Sequence, residues 1–142
     1  MNEGSFSAGK ELKKHFLKWF GLKARLHLNK SKPPLVNERD IWWVSLGENV
    51  GSEMNGKSDK FSRPALILKK LSHSFYLVAP STTQVREGTW YVKVQQNEKA
   101  IYICLHQIRT IDYRRLWSRL GKMDESDFRR VKIAFSKLYK SN

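Results

Sequence analysis

The chain has 142 residues, of which 40% are hydrophobic and 12% aromatic, enough to exclude a disordered chain and to fill one core without disulfide or metal help. Its 27 basic residues stand against 13 acidic ones, a net charge of +14. That excess makes a polyanion, nucleic acid first, the default partner, with a merely well-hydrated surface as the alternative, because neutralised phosphates release counterions whatever their sequence.

Residues 1–35 read as a basic N-terminal extension to a domain over 36–142. Eight basic residues from Lys10 to Lys32 stand against Glu3 and Glu11, a net +6, and Lys32-Pro33-Pro34 marks the boundary because proline restricts itself and its predecessor. Leu12, Phe16, Trp19 and Phe20 recur at helical spacing, which predicts a basic amphipathic helix over about 10–28, interrupted near Gly21. Such a stripe can dock on its own domain, help to hold RNA or a partner, or serve at a membrane surface or in targeting.

From residue 36 the pattern changes to short strands. Five are predicted at Asp40 to Leu46, Pro64 to Leu71, Ser74 to Pro80, Thr89 to Gln95 and Lys99 to Leu105, all rich in Val, Ile, Tyr and Trp. In the fourth, Trp90, Val92 and Val94 alternate with Tyr91, Lys93 and Gln95, the mark of one buried and one wet face. The polar, glycine-containing stretch from Gly47 to Ser62 suits a mobile flap. A short helix is expected from Tyr113 to Leu120, before Gly121. A last helix is expected from an Asp124 N-cap to about Tyr139, with Phe128, Val131, Phe135 and Leu138 inward. The fold class expected is α+β and β-rich: a small, strongly bent antiparallel sheet with a C-terminal helix and an extra N-terminal one.

Cys104 is the only cysteine, so no intrachain disulfide can form and a reducing, cytoplasmic setting is expected. His15, His27, His73 and His106 are too scattered to suggest a metal cluster, and neither a cofactor nor a membrane span is expected. Phosphate-cradling glycine loops, paired-histidine metal motifs and nucleophile elbows are absent. The remaining candidates stand where strands meet loops: Glu53, Arg63, Ser81-Thr82-Thr83-Gln84, and His106-Gln107. Taken alone, each also fits a structural role, Arg63 as an edge salt bridge and Ser81 to Gln84 as turn hydroxyls.

Their order is more specific. Arg39-Asp40-Ile41-Trp42-Trp43-Val44, Gly51-Ser52-Glu53, Arg63-Pro64-Ala65-Leu66-Ile67-Leu68, Val78-Ala79-Pro80-Ser81-Thr82-Thr83-Gln84 and His106-Gln107-Ile108-Arg109-Thr110-Ile111-Asp112 follow one another as in MazF/PemK/Kid-type toxins of type II toxin–antitoxin systems. The resemblance covers residues 38 to 139. It implies a homodimeric toxin built on an SH3-like barrel, which cleaves single-stranded messenger RNA without a metal. It also implies a cognate antitoxin, through which alone it meets operator DNA. The resemblance makes Arg63 and Thr82 catalytic and matches Glu53 to a third functional position. Attack by a ribose 2′-hydroxyl on the adjacent phosphate would leave a 2′,3′-cyclic phosphate and a 5′-hydroxyl, and it needs a base, an acid and positive charge near the phosphoryl oxygens. His106 stands where some members carry aspartate, and an imidazole can serve as base near neutrality. Ser81, Thr83, Gln84, Arg86 and Gln107 are assigned to holding RNA. The rival readings are a nucleic-acid-binding barrel that does not cut, and a toxin that inhibits a DNA-handling enzyme by protein contact.

Overall fold

The computed structural model describes residues 3–140. Helix α1 spans Glu3–Leu28, and seven strands follow: β1 Asp40–Ser45, β2 Ser62–Ser72, β3 Phe75–Thr82, β4 Tyr91–Gln96, β5 Lys99–Cys104, β6 Arg109–Asp112 and β7 Leu116–Lys122. Helix α2, Glu125–Leu138, closes the chain, capped by the Asp124 side chain at Ser126 N. The class is α+β, as expected.

The strands form one antiparallel sheet in the order β4-β5-β3-β2-β1-β7, with β6 also on β3. It is open rather than closed, since β4 and β7 end the path. Its bend follows from how β3 is shared. Phe75 to Val78 pair with β6, whereas Ser81 and Thr82 pair with β5, so the sheet forks along one strand. The fork gives β1 and β2 apolar neighbours on both faces. Ile41 and Leu66 join the core under α2, with Val92, Ile103, Phe128 and Val131. Trp42, Val44, Ala65 and Ile67 join a second core with Tyr76, Val78 and Ile111. Alternation along each strand sends successive residues to opposite cores.

Four expectations change. Residues 113–120 are not a helix: a 3₁₀ turn at Tyr113–Arg115 leads into β7, which pairs with β1. Tyr113, Leu116, Trp117 and Leu120 have helical spacing, but Asp112 caps only a single turn, accepting from Arg114 N at 2.9 Å. The hydrogen bond from Arg114 also holds the Asp112 carboxyl below its usual range. Next, α1 runs through Gly21 unbroken; open space surrounds that position, so the missing side chain costs propensity only. Finally, the docked face of α1 is Trp19 and Leu22, each 7% exposed, with Leu26, while Leu12, Phe16 and Phe20 face outward. Trp90 also differs, lying exposed just before β4 rather than inside with Val92.

Helix α1 therefore packs against the sheet and its loops. Trp19 meets Phe61 with ring centroids 5.6 Å apart, Arg115 stacks 5.5 Å from the indole, and His15 lies 3.7 Å from Glu48. Arg114 donates to His27 O at 2.8 Å, and Tyr113 donates to Ser31 O, tying down the connector. No described helix is long and apolar enough to cross a membrane.

Candidate active site

Arg63 and Thr82 come from neighbouring strands. The β2–β3 ladder pairs Ala65 with Pro80, and Arg63 precedes Ala65 by two residues as Thr82 follows Pro80 by two. Period-two alternation therefore puts both side chains on one face, at the end of that ladder. The neighbouring Ser81 points the other way. Its hydroxyl donates to Pro64 O at 2.8 Å, so it fastens β3 to β2 and is not presented to a ligand as its assignment to RNA requires; Thr82 is also buried, at 5% exposure. Thr82 Oγ1 accepts from Gln84 N at 3.2 Å, which leaves the hydroxyl's own proton to donate elsewhere.

Arg63 is half-buried and donates through Nε to Asn55 O. Burial lowers its pKa, and the nearby Arg86 guanidinium acts in the same direction. Among the described residues no carboxylate forms an ion pair with it. A half-buried guanidinium with no carboxylate partner is suited to a phosphodiester. Arg86 is exposed and is oriented by Gln84, whose carbonyl oxygen accepts from it at 2.5 Å; Thr83 and Gln84 are exposed on the same turn.

Beside this pair opens a cleft of about 380 Å³, lined by Leu46, Asn49, Glu53, Met54, Pro80, His106, Gln107, Ile108 and Arg109. It brings Glu53, His106 and Gln107 together from parts of the chain more than 50 residues apart. Arg63 and Thr82 do not line the cleft but adjoin it, through Asn55 next to Met54 and through Pro80. The Glu53 carboxylate accepts from Val50 N at 2.8 Å, and it is a source of the opposite charge that partly offsets the burial of Arg109. His106 is exposed, with the Trp90 ring 5.8 Å away and the Tyr91 ring edge-on at 5.1 Å. Its Nε2 lies 3.5 Å from Tyr91 OH.

Gln107 is used differently from the sequence assignment. Its Oε1 accepts from Met54 N at 3.0 Å and its Nε2 donates to Ser52 O at 2.9 Å, so both ends of the amide hold the backbone on either side of Glu53. The loop over residues 47–61 is thus tethered, not a free flap. Asn49 adds to this, donating to Leu46 O at 3.2 Å and Met54 O at 2.8 Å. Sequence reasoning missed Asn49, Asn55 and Arg109 as parts of this framework. For the two asparagines the only signal was polarity inside a loop; Arg109 stands in a matched motif, but its bond to Leu46 O at 3.0 Å, like the asparagines' partners, is set by tertiary structure.

Among the described residues no three His, Cys, Asp or Glu side chains gather as a metal site would need. Cys104 is buried behind Arg63; burial pushes its thiol up to about 11, against the opposing pull of Arg63 and Arg86.

The profile of the PemK-like, MazF-like toxins of type II toxin–antitoxin systems matches residues 37–139. This chain belongs to that family. A MazF from Deinococcus radiodurans superposes with a TM-score of 0.64 at 16% identity, over 76% of this chain and 99% of that one. The toxin MazF-mt6 of Mycobacterium tuberculosis gives 0.56 at 21% identity, over 73% and 99%. An endoribonuclease in complex with its cognate antitoxin, from a mycobacterial species, gives 0.58 at 15% identity, over 72% and 93%. At these identities the structures establish the shared MazF-like fold. No curated protein matches the chain.

Proposed function

We propose that this PemK/MazF-like toxin is an endoribonuclease that cuts single-stranded messenger RNA in the cytoplasm without a metal ion. The observation that carries the reading is Arg63, half-buried, unpaired with any described carboxylate and adjoining a cleft that holds Glu53 and His106, with the exposed Arg86 on the turn after Thr82. A phosphodiester seated there gains two bidentate cations, and Arg63 retains its charge through the reaction. Thr82 donates a hydrogen bond to the same phosphate. As the 2′-hydroxyl attacks, negative charge grows on the non-bridging oxygens, which Arg63 stabilises more in the transition state than before it. Glu53 or His106 takes the 2′-proton; Thr83, Gln84 and Arg86 hold the strand. The 5′-oxygen leaves and takes its proton from solvent water, the base returns the 2′-proton to solvent, and the upstream fragment ends in a 2′,3′-cyclic phosphate.

A cognate antitoxin is an expected partner, by analogy with the solved antitoxin complexes of relatives, and a second copy of this toxin is the partner that the family resemblance implies. The deciding experiment incubates purified protein with a long RNA in EDTA and maps both new ends. Cyclic phosphate and 5′-hydroxyl ends are expected. Binding with no cleavage would leave a passive nucleic-acid barrel, and cleavage abolished by the chelator would require a metal nuclease.

A further inference from the structure

We propose that α1 is a brace for the β1–β2 loop and that Trp19 is a positioning residue for the candidate active site, an inference that rests on the ribonuclease reading above. The indole sits on the closure of that loop. Leu46 N and Gly47 N both donate to Phe61 O, at 2.8 and 3.1 Å, and Gly56 N donates to Gly47 O at 2.9 Å. Trp19 packs on Phe61 from one side and on Gly47 from the other, so closely that a Cβ on Gly47 would lie 2.4 Å from the ring. Gly47 has φ +94°, a conformation that favours glycine, and its bare Cα is what lets the indole approach.

A continuous chain of contacts leads from there to the chemistry. Gly56 follows Asn55, whose carbonyl receives Arg63 Nε, and the same loop carries Glu53. The loop is therefore held twice. Gln107 clips residues 52 and 54 on the cleft side, and Trp19 presses on the stem, where the His15–Glu48 pair reinforces it. Loss of the stem contact leaves Asn55 free to shift and to take the Arg63 guanidinium with it. Displacements of about 1 Å in a catalytic group can cost as much as 100-fold in rate.

The test compares full-length Trp19→Ala, Trp19→Phe and Leu26→Ala with wild type. Leu26 belongs to the same docked face and borders the hollow formed with Asp112, Arg114 and Arg115, whereas the close approach to Gly47 is made by Trp19. In Trp19→Ala, kcat for RNA cleavage should fall about tenfold or more with KM nearly unchanged, and amide exchange at Gly47, Gly56, Lys57 and Ser62 should accelerate. Trp19→Phe should recover most of both, and Leu26→Ala should lower the melting temperature while kcat stays at the wild-type level. A folded Trp19→Ala with wild-type kcat overturns the proposal, as does a Leu26→Ala that loses as much kcat. If Trp19→Ala does not fold, Trp19→Leu carries the same expectation, since it keeps apolar bulk without the ring. A wild type that cuts no RNA defeats the ribonuclease reading instead, and loop exchange then decides on the brace: no change between Trp19→Ala and wild type overturns it.

Discussion

Arg63 sits where two physical demands conflict. Burial disfavours its charge, yet no described carboxylate compensates it, and under the proposed function an incoming phosphate oxygen would supply that counter-charge. Arg63→Ala is therefore expected to slow cleavage by roughly 100-fold or more, with thermal unfolding unchanged or slightly raised. Lysine should restore little of that rate, because one ammonium cannot fork onto two oxygens. Thr82→Ala removes one hydrogen bond and no charge, and a loss of about tenfold is expected. Full activity in Thr82→Ala with a damaged Thr83→Ala would move that role to the neighbouring residue. The placement of Arg63 and Thr82 on neighbouring strand ends was legible in the sequence because each stands in a short local motif. The clamp made by Gln107 was not, because its partners, Ser52 and Met54, are 55 and 53 residues away and backbone atoms leave no trace in residue type.

The buried thiol behind Arg63 gives a pH dependence with a definite sign. With the Cys104 pKa at about 11, the folded state keeps its proton through a range where an unfolded thiol, near pH 8.5, has lost it. In that window the unfolded chain binds fewer protons, so stability falls as pH rises. The stabilisation is complete below about pH 8.5 and is lost on the way to about pH 11. Melting temperature should drop across that interval, and Cys104→Ala should flatten the drop. Parallel curves for the two proteins would assign the alkaline loss to other groups.

At the scale of elements, the sequence was clearest where periodicity and tertiary environment agreed. Strands β1 to β5 and α2 were found within a residue or two of their ends, because each has a β-branched or helical stripe that the core then uses. β7 failed for the opposite reason. Its apolar residues have helical spacing, but the ladder to β1 slips twice, between Ile41 and Trp42 and between Trp42 and Val44, and such bulges break the period-two pattern. The four residues of β6 were too short to register as a strand. In α1 the apolar residues were seen and the docked face was misjudged, since Phe16 and Phe20 look as buriable as Trp19 until Gly47 and Phe61 are known to face it. A chain starting at residue 35 should melt lower by roughly 5–10 °C, in line with the few kcal/mol that deletion of a buried Trp commonly costs. Equal melting temperatures would mean that the docked helix contributes nothing to stability.

At the scale of the whole molecule, the net +14 makes attraction to polyanions general, and for the proposed RNA substrate the question is whether the charge acts as a diffuse field or through the cleft. Exposed cations are distributed widely: Arg129, Lys132, Lys137 and Lys140 border a shallow hollow on α2, and α1 carries its own lysines. Charges that only contribute to the field are screened within about 10 Å at 0.1 M salt. A guanidinium in contact with phosphate instead releases a counterion, which adds about 0.7 to the slope of log K against log salt for a single strand. Binding can be measured on intact RNA in an Arg63→Ala background. There, adding Arg86→Ala should flatten the slope by about 0.7 and adding Lys132→Ala should leave it in place. Equal flattening by the two substitutions would mean that the basic surface as a whole holds the strand. The cleft would then lose its claim to choose which phosphate is presented for attack.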